Sequence, residues 1–180
     1  MKKLIEKIIY SFGINISAYD VEFEIRLLKK KLPPSFYGRD VVDIGCGDGR
    51  VSKKLIKVLK PISFKGVDSS SSLITSAKEM GINVEVKDVA KQDLRGDLGV
   101  LWGVIHHFEN PDMTLKKLYN HFNSLIIRAP VDEKRICELG HKFNKKEFME
   151  ILCRAGIKKE KCQIIEVEKT TSLIIFVNRL

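Results

Sequence analysis

The sequence predicts an α/β fold: a seven-stranded, mostly parallel sheet with helices on both faces and an antiparallel final strand. Three observations predict it. From residue 41 to 130, short and almost continuously apolar runs alternate with amphipathic stretches of helix length, the rhythm of parallel strands buried on both faces. The first apolar run ends in glycines at every second position, Gly45, Gly47 and Gly49. The last two runs are separated only by Lys169, Thr170 and Thr171, short enough for a hairpin, so that pair is antiparallel.

The elements follow in order. Residues 2–12 and about 18–31 read as helices, with apolar stripes of Leu4, Ile5, Ile8 and Ile9 and of Val21, Ile25 and Leu28. Lys29, Lys30 and Lys31 suit the negative end of the second helix dipole. Pro33 and Pro34 stop that helix. Residues 41–44 then form a buried strand, 51–59 a helix and 62–67 a second strand. A helix over 72–80 is ended by Gly81. Strands follow over 84–86 and 98–101, then a helix over 111–122 with Pro111 in its first turn, then a strand over 124–127. Beyond 130 the rhythm changes. Asn144 and Glu147 have the spacing of a capping box, and the helix they open runs to Ala155, with Gly156 just past its end. Strands over about 163–168 and 172–177 close the chain.

Composition bounds the function. A chain of 180 residues favours one domain, and 44% hydrophobic with 31% charged residues excludes a disordered or fibrous chain. No apolar run approaches the roughly 20 residues that cross a bilayer, so no membrane insertion is expected. The opening residues resemble a signal peptide only in their basic start, since Glu6 and Lys7 break the apolar stretch. Cys46, Cys137, Cys153 and Cys162 show no zinc-ligand spacing and read as reduced thiols, and a cytoplasmic location is expected. The net charge of +9 is spread evenly: residues 1–40, 41–130 and 131–180 each carry a basic excess of three. There is no basic tail, although the excess could attract phosphate-bearing partners.

The strongest chemical signal is the run Asp43, Gly45, Cys46, Gly47, Asp48, Gly49 and Arg50, between a strand and a helix. Glycines there let the backbone turn tightly and approach a ligand. A dinucleotide loop needs glycine where Arg50 stands, and a phosphate loop needs a Gly-Lys-Ser/Thr ending that is absent. The acid before the glycines argues for a cationic ligand, because a carboxylate in a tight pocket favours a nearby ammonium or sulfonium. Asp43, Asp68 and Asp88 fall at or after the ends of three successive strands. Each alone suits a helix cap or a turn. Together, beside the glycine loop, they converge on one cleft at the carboxyl ends of the strands.

These residues resemble the motifs of class I S-adenosylmethionine-dependent methyltransferases, in the broad group that includes the ubiquinone- and menaquinone-type enzymes. The resemblance covers roughly residues 35–180. It implies a Rossmann-like fold and S-adenosyl-L-methionine as cofactor, held by Asp43, Gly45, Cys46, Gly47 and Gly49. Asp68 with Ser69 would take the ribose hydroxyls, and Asp88 with Val89 the adenine. The stretch from Gly103 through His106, His107 and Phe108 to Pro111 is similar to the family's segment after the fourth strand, and 143–157 to its late helix. Two departures stand out. No aromatic residue precedes Asp97, and Trp102 occupies a cofactor-wall position where a small or polar residue is commoner. Under this reading residues 1–40 form a helical lid, 41–130 the cofactor-binding part and 131–180 a C-terminal helix and hairpin of the same domain.

Methyl transfer is an in-line displacement whose leaving group is already good, so positioning supplies most of the catalysis. A base is needed only where the acceptor must lose a proton. His106 and His107 are the candidates for that catalytic role; being adjacent, they point apart on a helix, and at most one faces the cleft. No metal site is expected. The stretch Trp102, Gly103, Val104, Ile105 lacks the Asn/Asp-Pro-Pro-aromatic pattern of exocyclic-amine base methylation. No cysteine follows the fourth or fifth strand as in cytosine-carbon methyltransferases. A small-molecule acceptor is therefore expected. An RNA or protein acceptor, and a non-catalytic cofactor-binding subunit, are the alternatives.

Overall fold

The computed structural model describes residues 21–132 and 140–179. The expected helix over 2–12, and Cys137 in the 130–143 loop, lie outside them. The first described helix, α1 (Val21–Lys31), is followed by β1 (Asp40–Ile44), α2 (Arg50–Leu59), β2 (Ser63–Asp68), α3 (Ser71–Glu79) and β3 (Val84–Val86). Then come β4 (Gly96–Trp102), α4 (Pro111–His121), β5 (Phe122–Pro130), α5 (Lys145–Arg154), β6 (Cys162–Val167) and β7 (Ser172–Asn178).

The seven strands make one sheet in the order β3-β2-β1-β4-β5-β7-β6. All neighbours from β3 to β5 are parallel, and β7 is antiparallel to both β5 and β6. The insertion of β7 between β5 and β6 has a simple cause. Leu173 through Val177 are all buried, so β7 needs cover on both faces, whereas β6 is half exposed and tolerates the edge. The ladder also lengthens β5 beyond the expected 124–127, because Arg128, Ala129 and Pro130 pair with Ile174, Leu173 and Ser172.

Two apolar layers flank the sheet. On one side Ile25 and Leu28 of α1 and Leu55, Val58 and Leu59 of α2 pack with Val41, Leu98, Val100, Trp102, Ile126 and Phe176. On the other, Leu115 and Leu118 of α4 and Phe148, Ile151 and Leu152 of α5 cover Ile44, Leu101, Leu125, Ile127 and Ile175. Asn144 and Glu147 form the expected capping box at α5, each side chain accepting from the other's backbone N–H at 2.9 Å.

Of the segment expected to form a lid, the part from Val21 onward is described, and there α1 packs on the sheet face. It is fastened there by a fully buried ion pair. The Arg128 guanidinium at the end of β5 donates to Glu24 of α1 from Nε (2.9 Å) and Nη2 (2.9 Å), and the Thr170 and Ser172 hydroxyls donate to the same carboxylate at 2.6 Å. No helix among the described residues is long and apolar enough to cross a membrane.

Candidate functional site

The site grows from the carboxyl end of β1. This strand pairs with β2 on one side and β4 on the other, so it is where the strand order switches and where open α/β sheets bind ligands. Gly45, Gly47 and Gly49 all have positive φ, at 74°, 56° and 81°. A Cβ on Gly45 would lie 2.3 Å from Val104 Cγ2, and one on Gly49 would lie 2.4 Å from Ile82 Cδ1. The loop thus demands glycine for both conformation and space. Its backbone is tied to β2, since the N–H groups of Gly45 and Cys46 both donate to the Val67 carbonyl at 2.8 and 3.1 Å.

Of the three expected acids, Asp43 and Asp68 interact electrostatically beside the loop, and Asp88 follows β3. Asp43 is 2% exposed and accepts the Ser52 hydroxyl at 2.6 Å. Burial raises its pKa from 3.8 to about 7, opposed by the Ser52 hydrogen bond and reinforced by the nearby Asp68 charge. Asp68, at the end of β2, accepts the Gly47 N–H at 3.0 Å and the Ser70 N–H at 2.8 Å. Burial pushes its pKa up, while those backbone donors and the His107 charge pull it back. The helix cap of α3 is Ser70, whose hydroxyl accepts from Leu73 N–H at 3.4 Å, so Asp68 is free of that duty. Asp88 follows β3, and β3 is held level with β2 by the Lys87 N–H to Asp68 carbonyl bond of 2.8 Å. Its carboxylate is half exposed, accepts Ala90 N–H at 3.0 Å and faces Lys91 Nζ at 3.4 Å.

The other expected residues divide. Ser69 is exposed beside Asp68. Cys46 turns its thiol into a small apolar cluster with Ile74, Ala77, Ile82 and Val84, where burial raises its pKa; only its backbone belongs to the loop. Val89 is 6% exposed and its side chain packs with Ile44 and Val67. Trp102 ends β4 with its ring in the layer under α1, and its indole Nε1 finds no acceptor among the described residues.

The two histidines sit on a 3₁₀ turn, Ile105–His107, directly after β4, and their ring centroids are 3.9 Å apart. His106 is buried; its carbonyl accepts the His141 N–H at 2.7 Å, and its Nδ1 has no partner among the described residues. Burial, aided by the charges of His107 and Arg128, holds it well below the usual pKa, so it is neutral at pH 7. His107 is half-buried and acts electrostatically on Asp68. The pair thus divides, with His107 toward the strand-end acids. Sequence reasoning missed Ser52, although a serine on the apolar face of α2 with Leu55 and Leu59 was a visible signal. It also missed Glu24 opposite Arg128, which no local pattern shows because the pair is 104 residues apart.

The donor set suits a cationic adenosine-type ligand. Among the described residues, the buried Asp43 carboxylate has one hydroxyl donor and no cation paired with it. The Asp68 oxygens retain acceptor capacity beyond the backbone N–H bonds they accept.

Comparisons with known proteins agree. Residues 18–157 match the family described as Methyltransferase domain. Among curated proteins, 235L of Invertebrate iridescent virus 6, which carries a methyltransferase name, is 30% identical over 95 residues, 45% of this chain and 36% of that one. The carboxy-S-adenosyl-L-methionine synthase of Campylobacter fetus subsp. fetus (strain 82-40) is 29% identical over 115 residues, 58% of this chain and 48% of that one. The chain thus spans less than half the length of these two relatives. Magnesium protoporphyrin IX methyltransferase (ChlM) from Synechocystis PCC 6803, solved with bound SAM, superimposes with a TM-score of 0.68 at 16% identity, covering 99% of this chain and 97% of that one. The methyltransferase domain of bacterial CtHen1-C does so with a TM-score of 0.65 at 19% identity, covering 88% and 96%. At those identities the structures speak for the fold, and the family match over residues 18–157 for the kinship: this chain belongs to the methyltransferase-domain family, with the Rossmann-like fold of the class I S-adenosylmethionine-dependent enzymes.

Proposed function

We propose that the protein transfers a methyl group from S-adenosyl-L-methionine to a small-molecule acceptor. The observation that carries this reading is Asp43, a fully buried carboxylate beside a positive-φ glycine loop, with one hydroxyl donor among the described residues. When bound, the cofactor supplies an activated methyl on a sulfonium. The residues of this chain bind and orient. Asp43 contributes negative charge under the loop. Asp68 accepts the ribose hydroxyls while fastening Gly47, and Asp88 with the backbone at Val89 borders the adenine. Trp102 and Cys46 serve as buried walls behind the loop. For an acceptor that must lose a proton, His107, half-buried near Asp68, is better placed than the enclosed His106.

A small acceptor is supported by the charge of the site. Asp43, Asp68 and Asp88 make it acidic, which repels a polyphosphate backbone. Solved relatives with similar folds include enzymes named for porphyrin and mitomycin methylation. A cytoplasmic setting belongs to the same proposal and is supported by the free thiols of Cys46, Cys153 and Cys162. The test is to incubate the purified chain with isotopically labelled S-adenosylmethionine and fractionated cell extract, and to identify labelled products by mass spectrometry. Label in a small metabolite supports the reading. Label found only in RNA or protein overturns the acceptor class, and no label in any fraction, with intact cofactor binding, favours a non-catalytic subunit.

A further inference from the structure

The positive charge is even along the sequence, but the fold gathers it at one corner. Residues 26–39 and 53–65 hold ten of the 32 basic residues and none of the 23 acidic ones; the rest of the chain, 22 basic against 23 acidic, is close to neutral. Three backbone-directed hydrogen bonds bring these stretches together. The Tyr37 hydroxyl donates to the Lys29 carbonyl at 3.5 Å, the Gly38 N–H to the Leu59 carbonyl at 3.0 Å, and the Ile62 N–H to the Arg39 carbonyl at 3.0 Å. The C-terminal ends of α1 and α2 therefore share a corner with the loops that lead into β1 and β2.

Acids answer part of this charge: Glu22 pairs with Lys54, Glu85 with Lys65 and Asp97 with Arg39. Lys29, Lys30, Lys31, Lys57 and Lys60 are exposed and have no ion-pair partner among the described residues. Helix dipoles account for some lysine at each C-terminus. They do not account for Ile62, two residues after Lys60 and 80% exposed, or for Tyr37, bonded to the Lys29 carbonyl and 38% exposed. Pro33, Pro34 and Pro61 stiffen the two loops that present these side chains.

We propose that this corner is a peripheral docking surface for an anionic lipid bilayer. The five lysines meet acidic headgroups, and Ile62 and the Tyr37 ring enter the interface between headgroups and acyl chains. A protruding aliphatic side chain has no use against a phosphodiester backbone, where aromatic platforms and arginine forks serve better, so the pattern favours lipid over nucleic acid. The corner lies at the amino ends of β1 and β2, and the glycine loop at the carboxyl ends of the same sheet. A docked molecule thus keeps its cleft open to water, and the inference stands independently of the acceptor.

The experiment is co-sedimentation of the purified chain with phosphatidylcholine vesicles, and with vesicles containing about 30% phosphatidylserine, at about 0.1 M salt. The expected result is pelleting with the anionic vesicles only, weakening as salt rises. Replacing Lys30, Lys57 and Lys60 by Gln should reduce binding about fivefold per lysine, on the order of 100-fold together. Ile62→Asn should reduce it about tenfold at unchanged charge. All four positions are exposed, so melting temperatures should stay at the wild-type value and unfolding does not mimic the loss. Pelleting with neither vesicle, or equally with both, overturns the proposal. Tight RNA retention that Ile62→Asn leaves unchanged, without vesicle binding, assigns the corner to nucleic acid instead.

Discussion

Replacing Asp43 by Asn tests the electrostatic logic of the site. Burial raises the Asp43 pKa from 3.8 to about 7. Between those values the folded chain binds a proton that the unfolded chain has released, so this group makes stability fall as pH rises through that window. Each unit is worth about 1.4 kcal/mol, so the full penalty approaches about 4 kcal/mol above pH 7. Asn keeps the shape and the Ser52 hydrogen bond but carries no charge. The variant should therefore be the more stable of the two, with an advantage that widens by about 3 kcal/mol between pH 5 and pH 8. Urea denaturation of both proteins at the two pH values reads this, because groups not coupled to Asp43 cancel in the difference. The functional counterpart is affinity. A cationic cofactor needs the ionised form, whose fraction rises from about a tenth at pH 6 to about nine-tenths at pH 8. Wild-type affinity for S-adenosylmethionine should improve about tenfold over that range, and the variant should bind weakly at both. A stability gap and an affinity that both ignore pH would refute the claim that an uncompensated charge lies under the loop.

Other substitutions probe the neighbouring parts. Asp68→Ala removes the acceptor for Gly47 N–H and Ser70 N–H and, on the proposed reading, for the ribose hydroxyls. Calorimetry should show affinity lower by about 2–4 kcal/mol, roughly 30- to 1,000-fold, with a lower melting temperature as the loop loses its anchor, and unchanged affinity would contradict the ribose role. Gly45→Ala forces a Cβ within 2.3 Å of Val104 Cγ2 at φ 74° and should cost about 1–3 kcal/mol by urea denaturation; a neutral result would show that the loop has slack. Glu24→Ala strands the buried Arg128 guanidinium and should cost about 3–5 kcal/mol, much of it recovered when Arg128 is also replaced by Met, as equilibrium denaturation of both variants would show.

The parallel half of the fold was legible because its signals are local. β1, β4 and β5 each contain a short apolar run, and the glycine loop and strand-end acids sit at fixed offsets from the strands. The position of β7 was not legible. Hairpin spacing makes β6 and β7 neighbours but leaves open which of them meets β5, a matter settled by the apolar face that each presents. The packing of α1 was not legible, because the stripe of Ile25 and Leu28 reveals an apolar face without naming its partner, and the anchor is Glu24. Cys46 was grouped with the loop by sequence adjacency, yet the positive φ of Gly45 and Gly47 on either side turns its thiol into the core. Charge was the most misleading quantity. An excess that is even over long sections of the chain gathers in part at one corner where α1 and α2 end side by side.

The central claim is that the glycine loop with Asp43 and Asp68 holds an adenosine-type sulfonium cofactor. Calorimetric titration of the purified chain with S-adenosylmethionine tests it most directly. One saturable site with a micromolar dissociation constant, about 8 kcal/mol of binding free energy, is the predicted result, strongly weakened in Asp68→Ala. Neither heat nor thermal shift at millimolar cofactor would contradict it.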